Sequence, residues 1–560
     1  MKKIIALALC LCMVLGLFGC AGSSSDAYVP TGDALEAEGA DLASKQTEPE
    51  TEQELTLVYY PESSLHPYEC SDYTNRTVIS LMYQSLFVVD NDYEVKPLLC
   101  KNYSVSDDMT VYTIYLHDAT FSDGTPLTAE DVERSLWAAY ESDIYRGRFH
   151  NVWDFEANED GSLTILLSTP YENFPILLDV PIIKIEPEPE VVETQPAEGE
   201  TLPGETQPVE PLPPETQPPT EPKDENALPL GTGPYVFDTS LSGARLRRVK
   251  NWWCEGMANL PVTASSIKLK VAESPAQIRD SFEFEDVGVV CANPGSDSFA
   301  DFRCDYELCE IESGLFLYIG FNMDAEGESL FKNQSLRQAF THAIDRQGIA
   351  DYYYRGYGLP ASLPASPDSP YYDEALAAQY AYDAEAFKQA VINAGAVGQE
   401  ITMLVNAGDS LRMRVAKDIE EMLEDAGLTV KLLEYEGDYY YAAISNRDSY
   451  DLYLAQTKLS SNMDLTPFFY VYGSLSYGAL DNEAVYAMCK EALQSETNYY
   501  SLHKLVMDQG LLCPILFQKY AVYVTRGLVT GLDPARDNVF YYDFGVDMRD
   551  AQVSVDDEVE

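Results

Sequence analysis

The chain has 560 residues, 46% of them hydrophobic, which is enough for two or three domains with real cores. Its 36 basic and 92 acidic residues leave a net charge of -56. That balance excludes a nucleic-acid binder, which needs a basic face, and it excludes docking on anionic lipid through protein charge. Eleven cysteines include no Cys-x-x-Cys pair, and the five histidines, His66, His117, His150, His342 and His503, show no metal-ligand spacing. No metal site, cofactor or catalytic residue is therefore expected. Neither a Gly-x-Ser-x-Gly elbow nor a phosphate loop occurs.

In chain order, Met1-Lys2-Lys3 precedes an apolar run from Ile4 to Phe18, too short to span a bilayer as an ordinary helix. This is the layout of a secretory signal. Its ending, Leu17-Phe18-Gly19-Cys20, resembles a bacterial lipobox, which implies cleavage before Cys20, lipidation of its thiol and a place outside the cell. Residues 21–53, rich in Ser, Gly, Ala, Glu and Thr, read as a disordered tether holding the body on the order of 30 Å from the anchor.

Glu54–Tyr60 alternates and predicts a first strand. Leu86–Val89 and Val111–Leu116 predict further strands. Ala129–Tyr140 predicts a helix capped by Thr128, with Glu130 and Asp131 at its positive end and Val132, Leu136 and Ala139 on one face. Residues 186–230 differ in kind. Glu-Thr-Gln-Pro recurs there at 193, 205 and 215, so the segment reads as an extended, disordered insertion in a surface loop. Beyond it, strands are predicted at Ile267–Ala272, Phe316–Met323, Ile401–Val405 and Leu428–Leu433. Helices are predicted at Asn333–Tyr353, at Asp383–Ala394 with Gly395 as its stop, and at Asp409–Ala426 with Gly427 as its stop. Val415, Ile419, Met422 and Leu423 share the inward face of the last. This rhythm implies α/β layers. The eight cysteines past the signal read as free thiols, or Cys304 and Cys309 close a small loop.

Four ordered blocks carry a resemblance. They are Ser64-Leu65-His66-Pro67 with Leu81–Leu86; Ser104–Asp108 leading to Phe121-Ser122-Asp123-Gly124-Thr125-Pro126-Leu127-Thr128-Ala129-Glu130-Asp131-Val132; Gly231-Thr232-Gly233-Pro234-Tyr235 with Lys250-Asn251-Trp252-Trp253; and Gly320-Phe321-Asn322 with Leu336–Phe340, Ala343–Arg346 and Gly356–Ala361. Together they resemble the peptide/nickel-type (family 5) extracytoplasmic solute-binding lipoproteins of ABC importers, from about residue 54 to 545. The resemblance implies an α/β, two-lobed periplasmic-binding-protein type II-like fold with an extra subdomain in lobe I. Its divisions would be domain Ia at 54–82, 231–312 and 514–550, domain Ib at 83–185, domain II at 313–513, and an acidic tail at 551–560.

Most of the motif residues are turn and cap residues. Candidate ligand contacts are Glu62, Ser63 and Ser64 after the first strand, Arg146 and Arg148 for a carboxylate, and Thr457, Lys458, Ser460, Asn462 and Asp464 in the second lobe. Peptide binders of the family carry a Gly-Trp-x-x-Asp-x-x-Asp-Pro pattern whose first Asp holds the peptide amine. Here the Trp position holds Thr457, that Asp falls on Ser460, and Asp464 stands one place late for the second. A dry ammonium needs a countercharge, so the departure disfavours a free peptide N-terminus, and Lys458 favours an anionic group. The implied partners are a small solute such as an oligopeptide, a membrane permease with its ATPase, and the membrane through the lipid, the protein itself being a monomer. Two other readings stay open: a secreted hydrolase with a dispersed carboxylate pair, and a signalling receptor that does not transport.

Overall fold

In the computed structural model the described residues belong to one compact unit. The structure describes residues 55–186, 227–240, 243–257 and 262–540, apart from 297, 300–301, 324–328, 447–449, 479, 530 and 537–538. The signal segment with Cys20, the tether, residues 187–226 of the insertion and the acidic tail lie outside the described residues.

The first strand, Leu55–Tyr59, alternates as its sequence requires. Leu55 and Leu57 enter one core and Val58 the core on the opposite face. It is central in an eleven-stranded mixed sheet. In spatial order the strands are Thr429–Tyr435, Glu400–Asn406, Leu452–Lys458, Tyr306–Phe321, Leu512–Thr525, Val289–Ala292, Leu55–Tyr59, Ser266–Val271, Gly243–Arg248 and Tyr235–Ser240, with Gly358–Pro360 added beside Leu512–Thr525.

Two strands of this sheet, Tyr306–Phe321 and Leu512–Thr525, pair antiparallel and are much longer than a usual strand. Ile311, Val522 and Val524 lie in the core of Leu55, and Ala521 and Tyr523 in that of Val58. Their other ends feed different cores. Leu317, Ile319 and Cys513 pack with Val415 and Leu454, while Phe316, Tyr318 and Phe517 pack with Tyr453 and Phe468. The pair thus crosses from one half of the body to the other. Its register shifts between Glu312 and Leu315, at the crossing, where Gly314 has φ +70°.

A four-stranded antiparallel sheet, ordered Cys100–Val105, Val111–Leu116, Leu163–Leu167 and Val152–Ala157, belongs to the first half. The helix Ala129–Glu141 packs Val132, Leu136 and Ala139 into the same core as Ile114 and Ile165. Thr128 caps the helix as expected, and Asp131 completes a reciprocal capping box with it.

The glycine-rich block has a packing reason. A Cβ on Gly231 would lie 2.3 Å from the Met82 carbonyl oxygen, and one on Gly233 would lie 2.6 Å from the same atom. The two downstream tryptophans complete the block, since the Trp252 and Trp253 indoles both donate to the Thr232 carbonyl, at 2.8 and 3.3 Å. Around the insertion, Lys184 N donates to Leu230 O at 2.9 Å, so the chain leaves and returns side by side.

The two helices predicted with glycine stops occur as Ala384–Asn393 and Ser410–Asp425, capped by Asp383 and Asp409. The predicted helix Asn333–Tyr353 is instead broken into Gln334–Ala339, a 3-10 turn at Phe340–His342, and Arg346–Tyr353. Asp345 caps the last piece by accepting from Gly348 N. The buried Arg346 guanidinium satisfies carbonyls of Thr341, Ala361 and Pro514, which an unbroken helix would not present to it. The predicted strand Phe316–Met323 begins ten residues earlier, because its first half pairs with the far end of Leu512–Thr525. Cys304 and Cys309 are both free thiols and do not close a loop.

Candidate functional site

The strand Leu452–Lys458 pairs with Tyr306–Phe321 so that Thr457 opposes Phe316 and Lys458 opposes Leu315. Its C-terminal end therefore arrives at the crossing. There the Lys458 ammonium lies 5.5 Å from the ring centroid of Tyr73, a residue of the first half. Tyr73 begins the helix Tyr73–Ile79, capped by Asp72, and stacks on Tyr520 at 4.1 Å and 18°. Its hydroxyl donates to Ser313 O at 3.4 Å. Burial, with Cys291, Asp72 and Asp409 nearby, holds the Tyr520 hydroxyl well above the ordinary tyrosine range, so it stays neutral.

A polar row leads away from this point. Asp409 caps the helix Ser410–Asp425 and pairs with Arg412 at 3.1 Å. Arg412 donates to Gln456 Oε1 at 3.1 Å, and Gln456 donates to Gln518 Oε1 at 2.9 Å. The row gives the crossing two amides and a guanidinium already fixed in position.

The loop that follows holds the other second-lobe candidates. Ser460 Oγ donates to Asn462 Oδ1 at 2.7 Å. Asp464 accepts from Thr466 N and Oγ1, at 2.9 and 2.7 Å. These three side chains brace their own loop, and Tyr499 donates to Asn462 O at 2.7 Å from the helix Asn498–Asp508. This part of the second half also meets the first. The His150 ring nitrogen stands 3.4 Å from the buried Asp464 carboxylate, and Glu172 N donates to Leu493 O at 3.1 Å. Tyr171 is buried beside Asn462, Asp464 and Tyr371, and that burial drives its hydroxyl far above the ordinary range. Buried Asn462 and Ser461 keep an amide nitrogen and a hydroxyl with no hydrogen-bond partner.

The first-half candidates have local partners of their own, apart from Glu62. Glu62 is exposed. Ser63 N donates to Tyr60 O, and Ser64 joins Glu69 and accepts from His66 N. Buried Asn75 ties the turn down by bonding both backbone groups of Tyr60 and Ser63 O. Arg146 is exposed, pairing with Asp143 and donating to Glu141 O. Arg148 is buried, 5.1 Å over Tyr145, with its guanidinium paired to Asp179.

Several residues at the crossing carried no local signal. Buried Arg536, near the end of the described chain, donates to Leu459 O and to the Tyr93 hydroxyl, and a Cβ on Gly314 would sit 1.8 Å from its Nη2. Buried Glu312 accepts from Gly314 N at 3.0 Å and Ser366 Oγ at 3.2 Å. Asn91 bridges Glu312 N and Pro534 O. No group of three or more His, Cys, Asp or Glu placed to hold a metal exists among the described residues, and no described helix is long and apolar enough to cross a membrane.

Residues 94–478 match the bacterial extracellular solute-binding proteins, family 5 (middle). The chain belongs to that family. Among relatives, it is 24% identical over 399 residues to the glutathione-binding protein GsiB of Salmonella typhi, covering 69% of this chain and 70% of that protein. Family 5 also accounts for the fold. The substrate-binding protein CtaP of Listeria monocytogenes superposes with a TM-score of 0.69 at 20% identity, covering 87% of this chain and 97% of that one. A putative peptide-binding protein AppA of Clostridium difficile gives 0.68 at 17%, covering 88% and 98%. NikZ of Campylobacter jejuni, solved with Ni(L-His), gives 0.62 at 17%, covering 89% and 98%. The two halves are thus the lobes of a periplasmic-binding-protein fold, and the long strands join them.

Proposed function

We propose that this family 5 chain captures a small external solute between its lobes and delivers it to an ABC permease with its ATPase. The observation that carries the reading is the meeting of Lys458 with the Tyr73–Tyr520 stack where the two long strands cross. Groups from both lobes converge there, so a solute touching both favours the closed state by its differential affinity. The proposed division is domain Ia at 54–82, 231–312 and 514–550, domain Ib at 83–185, and domain II at 313–513. The protein acts as a monomer, held to the outer face of the cell membrane by lipid on Cys20.

The solute class we favour is a peptide-like molecule with an anionic group toward Lys458 and a flat or apolar portion against Tyr73. Ser460 offers no carboxylate to an incoming amine, and the carboxylate of Asp464 is engaged by Thr466 and His150. Thr457 and the Gln456–Gln518 pair supply neutral hydrogen bonds. Mass spectrometry of solute co-purified with the native protein tests the class: an anionic peptide-like solute is expected, and a purely cationic one defeats the assignment. Lys458→Ala should weaken binding of that solute by a charge-assisted hydrogen bond, about 1.5–3 kcal/mol or roughly 10- to 150-fold, at unchanged melting temperature. Turnover of the bound solute would replace this reading with a hydrolase.

A further inference from the structure

The four-stranded sheet of the first half carries a cavity that the solute site does not use. Its volume is about 800 Å³, within the range of small-molecule sites, and neither Lys458 nor Tyr73 lines it. An irregularity in the strand Cys100–Val105 shapes its wall. The register against Val111–Leu116 shifts between Cys100 and Asn102, so Lys101 is an extra residue, and both Lys101 and Asn102 line the cavity. A regular strand would turn one of the two away. Asn102 keeps its amide oxygen buried, with no hydrogen-bond partner among the described residues. Tyr115, paired with Asn102 across the strands, brings an aromatic ring to the same wall. His117 follows, 5.8 Å from the ring of Trp253, whose indole is held by Gln84 Oε1 and Thr232 O. Burial and nearby Lys101 lower the His117 pKa from 6.5 against the pull of Asp118, so the ring stays neutral.

We propose that this cavity is a second binding site, separate from the lobe cleft, for a neutral polyhydroxylated ring, that is, a sugar. The lining charges decide the class. Lys101 stands with Asp118, Glu130 and Asp160, so the wall is net negative and opposes an anion. No three His, Cys, Asp or Glu among the described residues are placed to hold a metal, and the Lys101 ammonium opposes an organic cation. A hydroxyl both donates and accepts, so one sugar can bond the ammonium, the carboxylates and the orphaned Asn102 oxygen together. Tyr115 adds apolar ring surface with a hydroxyl at its edge, the same mixture that a sugar ring presents. The far side is held in place as well, since Asp160 accepts from Ser162 N and Oγ, at 3.0 and 2.7 Å.

Saturation-transfer NMR on the full-length protein tests the proposal, with maltose and cellobiose as free sugars and di-N-acetylchitobiose as a piece of wall glycan. At least one should bind with a Kd of about 1 mM or tighter. Tyr115→Ala and Lys101→Ala should each weaken it about tenfold, while Lys458→Ala leaves it unchanged. Lys101 is exposed, so its variant reads the site even if Tyr115→Ala fails to fold. Binding of maltose or cellobiose assigns the site to a free sugar, and binding of the chitobiose alone assigns it to glycan. Three results overturn the proposal: no sugar bound below about 10 mM, sugar binding lost in Lys458→Ala, which would place it in the lobe cleft, or spermidine or phosphate bound in place of the sugars. The importer reading stands or falls apart from all three.

Discussion

His503 should make the second lobe acid-labile. It sits fully buried on the helix Asn498–Asp508, edge to face with Tyr499 at 5.8 Å, and neither ring nitrogen has a hydrogen-bond partner. Burial alone pushes its pKa down to about 3 from the usual 6.5. The folded state therefore holds the ring neutral while the unfolded chain protonates it. The resulting stability is complete above pH 6.5 and is lost progressively as pH falls toward 3. Each unit is worth about 1.36 kcal/mol, so going from pH 7.5 to 5.0 costs about 2 kcal/mol through this residue, with a limit near 5 kcal/mol at pH 3. Because carboxylates also titrate in acid, the measurement is a difference. In urea unfolding followed from pH 7.5 to 5.0, the wild type should lose about 2 kcal/mol more stability than His503→Leu. Parallel profiles, within about 0.5 kcal/mol across that range, would refute the reasoning and mean that the folded protein hydrates or charges the ring. The effect bears on function, since the same helix supplies Tyr499 to the carbonyl of Asn462.

Gly314→Ala should destabilise by about 2–4 kcal/mol. The new Cβ would face Arg536 at 1.8 Å in a left-handed residue, adding about 1–2 kcal/mol of backbone strain to the loss of a buried guanidinium bond, and urea titration reads it. Cys20→Ala should release the protein into the medium with solute affinity intact, as fractionation and calorimetry would show; a variant still fixed to cells contradicts lipid anchoring. Deleting residues 187–226 should leave the melting temperature within about 3 °C, because the flanking chain is already joined at Lys184 and Leu230 and a shorter closing loop costs little. A collapse of the fold would show that the insertion is packed.

Features legible in the sequence and features hidden from it divide along contact range. Thr128 was legible as a helix cap, and Gly395 and Gly427 as stops, because each bonds or bends within a few residues of itself. The strand Val111–Leu116 was legible from its own β-rich composition. The motif glycines were legible as structural, but their reasons were not. Gly320 leaves room for the Tyr453 ring, which a Cβ would meet at 1.9 Å, and Tyr453 lies 133 positions further on. At the candidate site the sequence pointed to Thr457 and Lys458 through the departed motif. It had no means of pairing Lys458 with Tyr73, or Tyr73 with Tyr520, which are joined only when the sheet forms. Arg148 illustrates the converse. An arginine suited to a carboxylate solute is suited equally to Asp179, and only packing shows which carboxylate is within reach.

By itself, then, the chain determined its class: a family 5 solute binder built of capped helices and alternating strands, with an acidic Pro-rich segment between two parts of one lobe. Tertiary structure alone decided where the lobes join, that Arg536 and Glu312 sit at the joint, and which aromatic pair the second lobe's lysine meets. Local propensity and capping act over one or two turns, whereas the joint is made by strands that start some two hundred residues apart and find one another through the cores they fill.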